Sequence, residues 1–198
     1  MSVDVVFETH SWSTDNDRGL ATGWLDGTLS ERGRLLAAEL GDRRRSDGLA
    51  CVFVSDLGRA VETAEIAFAG SDIPVFEDRR LRECNYGALN GAPRARMELE
   101  GPRRIDERHP GGESWLEAVL RVEDFLRELA ATRDGERVLI IGHMSGWYAL
   151  EHLVGGTPLA DVWEAEFRWR EGWSYRLSPQ TDAAEHDGVS PQAPIPRR

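Results

Sequence analysis

The sequence predicts an α/β fold: a single three-layer α/β/α domain with a mainly parallel sheet. Short apolar runs typical of buried strands, at residues 3–7, 50–54 and 137–142, alternate with longer segments of helical periodicity. This alternation implies right-handed crossovers, which place helices on both faces of a parallel sheet. Ligands of such sheets bind outside the carboxyl ends of the strands, so the residues that follow the three runs are the first candidates for a site.

Two helices are predicted in the first half of the chain. Ser30 is the expected N-cap of the first helix, which ends near Gly41 or Gly48 and carries leucines at helical spacing, namely Leu35, Leu36 and Leu40. Ser55 or Asp56 is the expected cap of the second helix, which ends before residue 70 and has its apolar positions at Ala60, Ala64 and Phe68.

The middle of the chain is predicted to hold a short strand and then an irregular segment. The strand covers residues 73–76, and the Gly, Pro and Arg content of residues 78–112 argues against a continuous element there. Residues 113–132 have the pattern of the longest amphipathic helix. Its apolar face is expected to comprise Leu116, Val119, Leu120, Phe125, Leu126 and Leu129.

The last part of the domain, which is expected to span residues 1–177, is predicted to contain a helix around 147–153 and a final antiparallel strand pair at 162–167 and 172–177. The tail at 178–198 is rich in proline and has few large apolar residues. It cannot bury enough surface to order itself, so it is predicted to be disordered.

Composition excludes several classes of function. The chain has 198 residues, 40% of them hydrophobic and 30% charged, which is typical of a soluble domain with one core. The net charge of −11 argues against binding to nucleic acid or to an anionic membrane, since both need a basic face. No stretch approaches the about 20 apolar residues of a membrane helix, and the amino end lacks a signal-peptide pattern. Cys51 and Cys84 lack metal or redox spacing and indicate a reduced compartment, so a cytoplasmic protein is expected.

Two histidines and one arginine stand where the apolar runs end. His10 and His143 each follow a predicted strand, and Arg59 comes shortly after the strand at 50–54. Parallel strands deliver such residues to one edge of the sheet. Two imidazoles beside a guanidinium suggest an oxyanion as the substrate.

Together with residues elsewhere in the chain, these positions resemble the histidine phosphatase superfamily, which has the phosphoglycerate-mutase-like fold. The resemblance covers nearly the whole predicted domain, and its motifs occur in the order of the family. They are His10, Asn16, Gly19, Gly23, Asp26, Leu29 and Gly33; Ser55 to Ala60 with Thr63 and Ala64; Leu81, Arg82 and Glu83 with Gly87 and Gly91; Pro110 to Ser114; and Gly142 with His143.

The resemblance implies a role for each of the principal residues. His10 would be the nucleophile that becomes phosphorylated, Arg59 and His143 would hold the phosphoryl group, and Glu83 would donate a proton to the leaving oxygen. It also implies that neighbouring positions bind the phosphate, namely Thr9, Ser11, Asn16 and Met144.

The chemistry of these residue types supports the implied roles. A neutral imidazole can attack phosphorus and form a covalent intermediate when its other ring nitrogen is held by a hydrogen bond. A guanidinium can grip two phosphoryl oxygens at once, and phosphoryl transfer depends mainly on positioning and charge stabilisation. Glu83 must carry a proton to act as an acid. The scheme requires no metal and no other cofactor.

The chain also departs from the family pattern. Thr9 stands where an arginine usually precedes the first histidine, and Trp12 replaces a Glu or Gln. A threonine donates one neutral hydrogen bond, about half as strong as a charge-assisted one. The negative charge of Glu8 would weaken phosphate binding further if this side chain faces the site. The candidates for a compensating cation are Arg18, Arg82 and His109.

Simpler explanations of other residues are kept open. Glu83 can be a surface carboxylate paired with Arg80 or Arg82, and residues 43–45 and 103–104 are expected to be solvated arginines. A serine nucleophile lacks a Gly-x-Ser-x-Gly turn, and no ligand pair has zinc spacing. The tryptophans expected to line the pocket are Trp12, Trp24 and Trp147. Those expected to pack in the core are Trp115, Trp163, Trp169 and Trp173.

The sequence therefore predicts a metal-independent phosphohydrolase that acts on a small phosphorylated metabolite, with no nucleic-acid or membrane partner. Three alternatives remain: a diverged enzyme for a non-phosphate anion, a binding protein without turnover, and a phosphoglycerate-type mutase. A homodimer is an open expectation.

Overall fold

The computed structural model describes residues 2–178, and it confirms the three-layer α/β/α domain. A five-stranded sheet has the order β4-β3-β6-β1-β7, in which only the edge strand β7 is antiparallel to its neighbour, β1. A separate two-stranded ribbon pairs β2 with β5. The strands are β1 (Val3–Thr9), β2 (Leu20–Ala21), β3 (Cys51–Val54), β4 (Val75–Glu77), β5 (Ala92–Pro93), β6 (Arg137–Gly142) and β7 (Trp173–Leu177).

Helices cover both faces of the sheet, as expected for parallel strands joined by crossovers. They are α1 (Thr14–Asp17), α2 (Glu31–Arg44), α3 (Gly58–Ala67), α4 (Arg94–Glu100), α5 (Trp115–Thr132), α6 (Met144–Leu153) and α7 (Leu159–Glu164), with 3-10 turns at Arg79–Leu81, Gly87–Leu89 and Gly101–Arg104.

The alternation of side chains along β1 divides the interior into two cores. Val5 and Phe7 belong to the core under α5 and α6, whereas Val6 belongs to the core under α2 and α3. The sheet is therefore packed on both of its faces, which fixes the position of its carboxyl edge.

Several predicted helix boundaries need correction. Ser30 does cap α2, through a hydrogen bond from the N–H of Gly33. The α3 helix, in contrast, has Leu57 at its N-cap position and therefore no side-chain cap, and Asp56 pairs instead with Arg82. The α5 helix begins at Trp115 behind a capping box, and α6 begins at Met144, directly after His143 rather than at 147.

The predicted final strand pair is wrong. The segment predicted as its first strand contains the end of helix α7, and β7 pairs instead with β1 at the edge of the main sheet. The segment predicted to lack a continuous element contains only short ones, namely α4, three 3-10 turns and the strand β5. Tertiary contacts decided these short elements, whose local patterns are too brief to be diagnostic.

Three leucines assigned to apolar faces are exposed. Leu35 is 69% exposed on α2, and Leu116 and Leu120 are 37% and 47% exposed on α5. The buried face of α5 is therefore narrower than the apolar face predicted from the sequence.

The two cysteines and the tail were also subjects of prediction. Cys51 and Cys84 are buried and unpaired. No helix within residues 2–178 is long and apolar enough to span a bilayer, and the predicted disordered tail lies outside the described residues apart from Ser178.

Gly33 lets α2 pack against the loop that follows β1. A Cβ atom at this position would overlap with the carbonyl oxygen of Trp12. That same carbonyl accepts hydrogen bonds from the N–H and hydroxyl of Ser30. The backbone after His10 is therefore fixed by the first turn of α2.

We expect Gly33→Ala to destabilise the protein. At a solvent-exposed position in a helix, a change from glycine to alanine stabilises the protein by about 1 kcal/mol. Here the clash with the Trp12 carbonyl should instead lower the free energy of unfolding by roughly 1–3 kcal/mol. Urea unfolding measures the effect, with Leu35→Ala as a control on the exposed side of the same helix. A Gly33→Ala protein more stable than the wild type would contradict the close approach.

Candidate active site

Three neighbouring parallel strands bring the predicted residues to one edge. His10 follows β1 and its N–H donates to the carbonyl of Gly142 at the end of β6, at 2.9 Å. His143 comes next along the chain as the N-cap of α6. The ring centroids of the two histidines lie 5.0 Å apart. Arg59, in the first turn of α3, follows β3.

Arg59 lies between the two histidines and is 2% exposed. Its Nε donates to His10 Nε2 at 3.2 Å, and its Nη2 contacts His143 Nδ1 at 3.3 Å. The carbonyls of Gly23 and Leu25 accept further hydrogen bonds from the same guanidinium, at 3.0 Å and 3.4 Å. Backbone carbonyls and imidazoles thus satisfy the buried cation without a carboxylate partner.

The hydrogen bonds assign the tautomer of each histidine. The carbonyl of Ser11 can only accept, so His10 Nδ1 carries the proton at 2.7 Å from it, and His10 Nε2 presents a lone pair. Arg59 can only donate, so His143 Nδ1 accepts and its proton is on Nε2. Among the described residues, His143 Nε2 has no hydrogen-bond partner although it is buried. One imidazole therefore offers a nucleophilic nitrogen, and the other offers a free donor.

Both imidazoles are neutral in this state of the protein. Burial, together with the Arg59 charge, lowers the pKa of His10 from the ordinary 6.5 to about 3. Burial, Arg59 and His10 lower the pKa of His143 well below its usual value. The lowered pKa favours the neutral form of His143, whose protonated form the sequence left open.

Glu83 completes the group from the other side of His143. Its carboxylate accepts hydrogen bonds from three backbone N–H groups: those of Cys84, Met144 and Ser145, at 2.9, 3.2 and 3.1 Å. The last two belong to the first turn of α6, where the helix dipole favours an anion. Glu83 is buried, so the interpretation as a surface carboxylate is wrong.

The alternative partners of Glu83 are engaged elsewhere. Arg82 pairs with Asp56 at 2.6 Å, and Arg80 pairs with Asp78 at 2.6 Å. The backbone carbonyl of Glu83 is held instead, by Arg121 at 3.2 Å and by the indole N–H of Trp24 at 2.6 Å. Sequence analysis missed the positioning by Arg121, because an arginine inside an amphipathic helix carries no special signal.

The other predicted phosphate-binding residues all line the cleft beside His10. They do not all have free groups: the N–H of Met144 is used by Glu83, and the N–H of Ser11 donates to Thr63 Oγ1 at 3.0 Å. Asn16 Oδ1 accepts from the backbone of Ser13 in a capping box. The four residues are Thr9, Ser11, Asn16 and Met144.

None of the predicted compensating cations lies at the cleft. Arg18 is exposed, Arg82 is paired with Asp56, and His109 packs beneath the ring of Tyr86 with a centroid distance of 5.2 Å. Besides Arg59, the arginines that line the cleft are Arg43, which the sequence predicted to be solvated, and Arg32 and Arg94, which it did not single out.

Glu8 is neutralised by two of the arginines predicted to be solvated. It is 2% exposed and pairs with Arg44 at 2.7 Å and with Arg43 at 3.2 Å. Arg45, the third of the run, donates to the carbonyl of Ala67. The prediction of a solvated face is wrong for Arg43 and Arg44, because β1 presents a buried carboxylate to α2, but it holds for Arg45, which is exposed.

The site opens into a cleft of about 730 Å³ whose lining includes seven Phe, Tyr and Trp side chains, a volume typical of small-molecule sites. Trp12 lines it as predicted, but Trp24 and Trp147 do not. Three tryptophans expected in packing, Trp115, Trp163 and Trp169, line it too. Within residues 2–178, no group of three or more His, Cys, Asp or Glu side chains is arranged to hold a metal ion.

Comparison with known proteins identifies the family. The family described as the histidine phosphatase superfamily (branch 1) matches residues 8–183, so the chain belongs to this superfamily. A 2,3-bisphosphoglycerate-dependent phosphoglycerate mutase from Methylobacterium radiotolerans is 34% identical over 195 residues, which cover 91% of this chain and 92% of the relative.

Solved structures show the same fold. Bacillus stearothermophilus YhfR superimposes with a TM-score of 0.77 at 27% identity, over 85% of this chain and 88% of that one. A mycobacterial glucosyl-3-phosphoglycerate phosphatase in complex with VO3 has a TM-score of 0.72 at 26% identity, over 82% of this chain and 87% of that one. The similar proteins thus include both mutases and phosphatases.

We expect His10 to remain neutral, with its proton on Nδ1, between about pH 5 and pH 8. Its lowered pKa disfavours the charged form, so protonation should begin only as the pH approaches about 3. Nitrogen NMR of the ligand-free protein measures both the tautomer and the titration. His152, which lies on α6 away from the cleft, serves as an internal reference. Titration of His10 near pH 6.5, or a proton on Nε2, would contradict the arrangement.

Proposed function

We propose that the protein is a metal-independent phosphohydrolase that acts on a small phosphorylated metabolite through a phosphohistidine at His10. The observation that carries the proposal is the buried Arg59 guanidinium, which contacts the nucleophilic nitrogen of His10 and the ring of His143 at once. A phosphoryl group that enters between these side chains replaces one neutral acceptor of the guanidinium with charged oxygens.

In the first step, the lone pair of His10 Nε2 attacks phosphorus and the bond from phosphorus to the ester oxygen breaks. The departing oxygen takes the proton of a protonated Glu83 and leaves as the alcohol. Arg59 stabilises the equatorial oxygens, and His143 donates to one of them from its Nε2–H. The Ser11 carbonyl stabilises the developing positive charge of the His10 ring at Nδ1.

In the second step, water attacks the phosphohistidine. The Glu83 carboxylate accepts a proton from that water, the bond between phosphorus and His10 Nε2 breaks, and phosphate leaves with the site restored. The same carboxyl group thus acts first as acid and then as base. Water is the only co-reactant, and no residue in the scheme needs a metal ion.

The surroundings of the site favour hydrolysis over a mutase reaction. A bisphosphorylated intermediate needs cations for a second phosphate as well as for the first. Of the other arginines that line the cleft, Arg43 is paired with Glu8, Arg94 lies 3.9 Å from Glu98, and Arg32 lies over the ring of Trp12. The site also has less positive charge beside His10 than the family usually has, because Thr9 stands in place of an arginine.

Phosphate release in the presence of a chelator tests the proposal. We expect the wild-type protein to hydrolyse members of a panel of phosphate monoesters with EDTA present, and His10→Ala to abolish release. His152→Ala is the matched control, because His152 bonds to the carbonyl of Thr157 and does not line the cleft. An alkali-stable phosphoenzyme should form in the wild type and should not form in His10→Ala. Release that needs added metal, or that survives His10→Ala, would refute the scheme.

Thr9→Arg tests whether the phosphate site is otherwise intact. Thr9 lines the cleft next to His10, so an arginine there adds a charged donor where the family usually has one. We expect inorganic phosphate to inhibit this variant more strongly, by about tenfold, since hydrogen bonds to charged groups contribute about 1.5–3 kcal/mol. Thr9→Met controls for the added bulk. An unchanged inhibition constant would favour a diverged enzyme whose pocket serves another anion.

A further inference from the structure

A continuous series of aromatic rings lines one side of the cleft. We name Tyr86, Trp115, Tyr148 and Trp163 the aromatic wall. Trp115 is the centre of the wall, with ring centroids 5.9 Å from Tyr86, 4.9 Å from Tyr148 and 5.0 Å from Trp163. All four residues line the cleft, as do Phe167 and Trp169 on the following loop.

The aromatic wall begins near Glu83, the proposed proton donor to the leaving oxygen. Tyr148 is one helical turn beyond Met144 on α6, and the N–H of Met144 binds the Glu83 carboxylate. Burial and the nearby charge of Glu83 raise the pKa of both Tyr86 and Tyr148. A group attached to the leaving oxygen at Glu83 therefore meets the wall first.

The backbone is shaped to hold the far end of the wall. Gly101 packs directly on the indole of Trp163, and a Cβ atom at Gly101 would overlap with that ring. Trp163 is supplied by α7 and Gly101 by the 3-10 turn after α4. The ring thus packs directly on the 3-10 turn while it still lines the cleft.

The charges that border this side are paired with each other. Arg94 and Glu98 both line the cleft and lie 3.9 Å apart on neighbouring turns of α4. A second phosphate or a carboxylate at this end would compete with Glu98 for Arg94 and would desolvate against indole rings. An aromatic or planar apolar group gains from the same surroundings.

We propose that the preferred substrates are phosphate monoesters of alcohols that carry a large aromatic group, which the aromatic wall holds during transfer. This inference rests on the proposed function and assigns its substrate class. Thr9 weakens the grip on the phosphoryl group, so binding of the leaving group must supply more of the stabilisation of the transition state.

A pair of esters tests the substrate class. Ethyl phosphate and 2-(1-naphthyl)ethyl phosphate both release primary alcohols of similar acidity, so their chemical steps are matched. We expect kcat/KM for the naphthyl ester to exceed that for the ethyl ester by at least about thirtyfold, in line with burial of one large ring system.

Two variants test whether the tryptophans that line the cleft cause the preference for the naphthyl ester. Trp163→Leu and Trp169→Ala should each reduce the ratio of the two kcat/KM values by about fivefold or more, while ethyl phosphate is affected little, because only the ring contact is lost. Trp169 is 56% exposed, so its truncation leaves the fold intact even if Trp163→Leu does not. Leu99→Ala, at a position that is 87% exposed and outside the cleft, is the matched control and should leave the ratio unchanged.

The outcomes separate this inference from the function on which it rests. Equal kcat/KM values for both esters, or a ratio that neither tryptophan variant alters, would overturn the aromatic substrate class while the phosphohydrolase stands. Absence of turnover with both esters and with the wider panel would overturn the proposed function, and this inference with it.

Discussion

The burial of one guanidinium is the constraint around which the site is built. Arg59 is almost inaccessible to water, and within residues 2–178 none of its hydrogen bonds goes to a carboxylate. A buried cation needs its donors satisfied, so the carbonyls of Gly23 and Leu25 and the two imidazoles must all reach it. The parallel register of β3, β6 and β1 makes this convergence possible, because it aligns the ends of three strands that are distant in sequence.

That constraint also sets the protonation of the site. A permanent positive charge between two buried imidazoles disfavours a further charge on either, so His10 keeps a lone pair on Nε2 and His143 keeps a proton on Nε2. The first N–H groups of α6 hold the carboxyl group of Glu83 beside this cluster. A nucleophile, a donor and a carboxyl group are thus arranged around one cation.

The parts of this arrangement that follow a regular pattern could be predicted from the sequence. Apolar runs marked the strands that carry His10, Arg59 and His143, and the order of motifs marked Glu83. What failed depends on tertiary contacts without a local signal: Arg43 and Arg44 pair with Glu8, which β1 buries against α2. Trp163 likewise lines the cleft with its ring packed on Gly101, a contact between distant parts of the chain, and periodicity cannot distinguish a ring in a core from a ring in a cleft.

A crystal structure of the protein with bound orthovanadate tests the central claim most directly. The account predicts vanadium within bonding distance of His10 Nε2, with Arg59 Nε moved from the imidazole onto a vanadate oxygen and His143 Nε2 donating to another. Glu83 should lie on the side opposite His10, next to the apical oxygen. Vanadate bound elsewhere, with Arg59 still hydrogen-bonded to His10, would contradict the account.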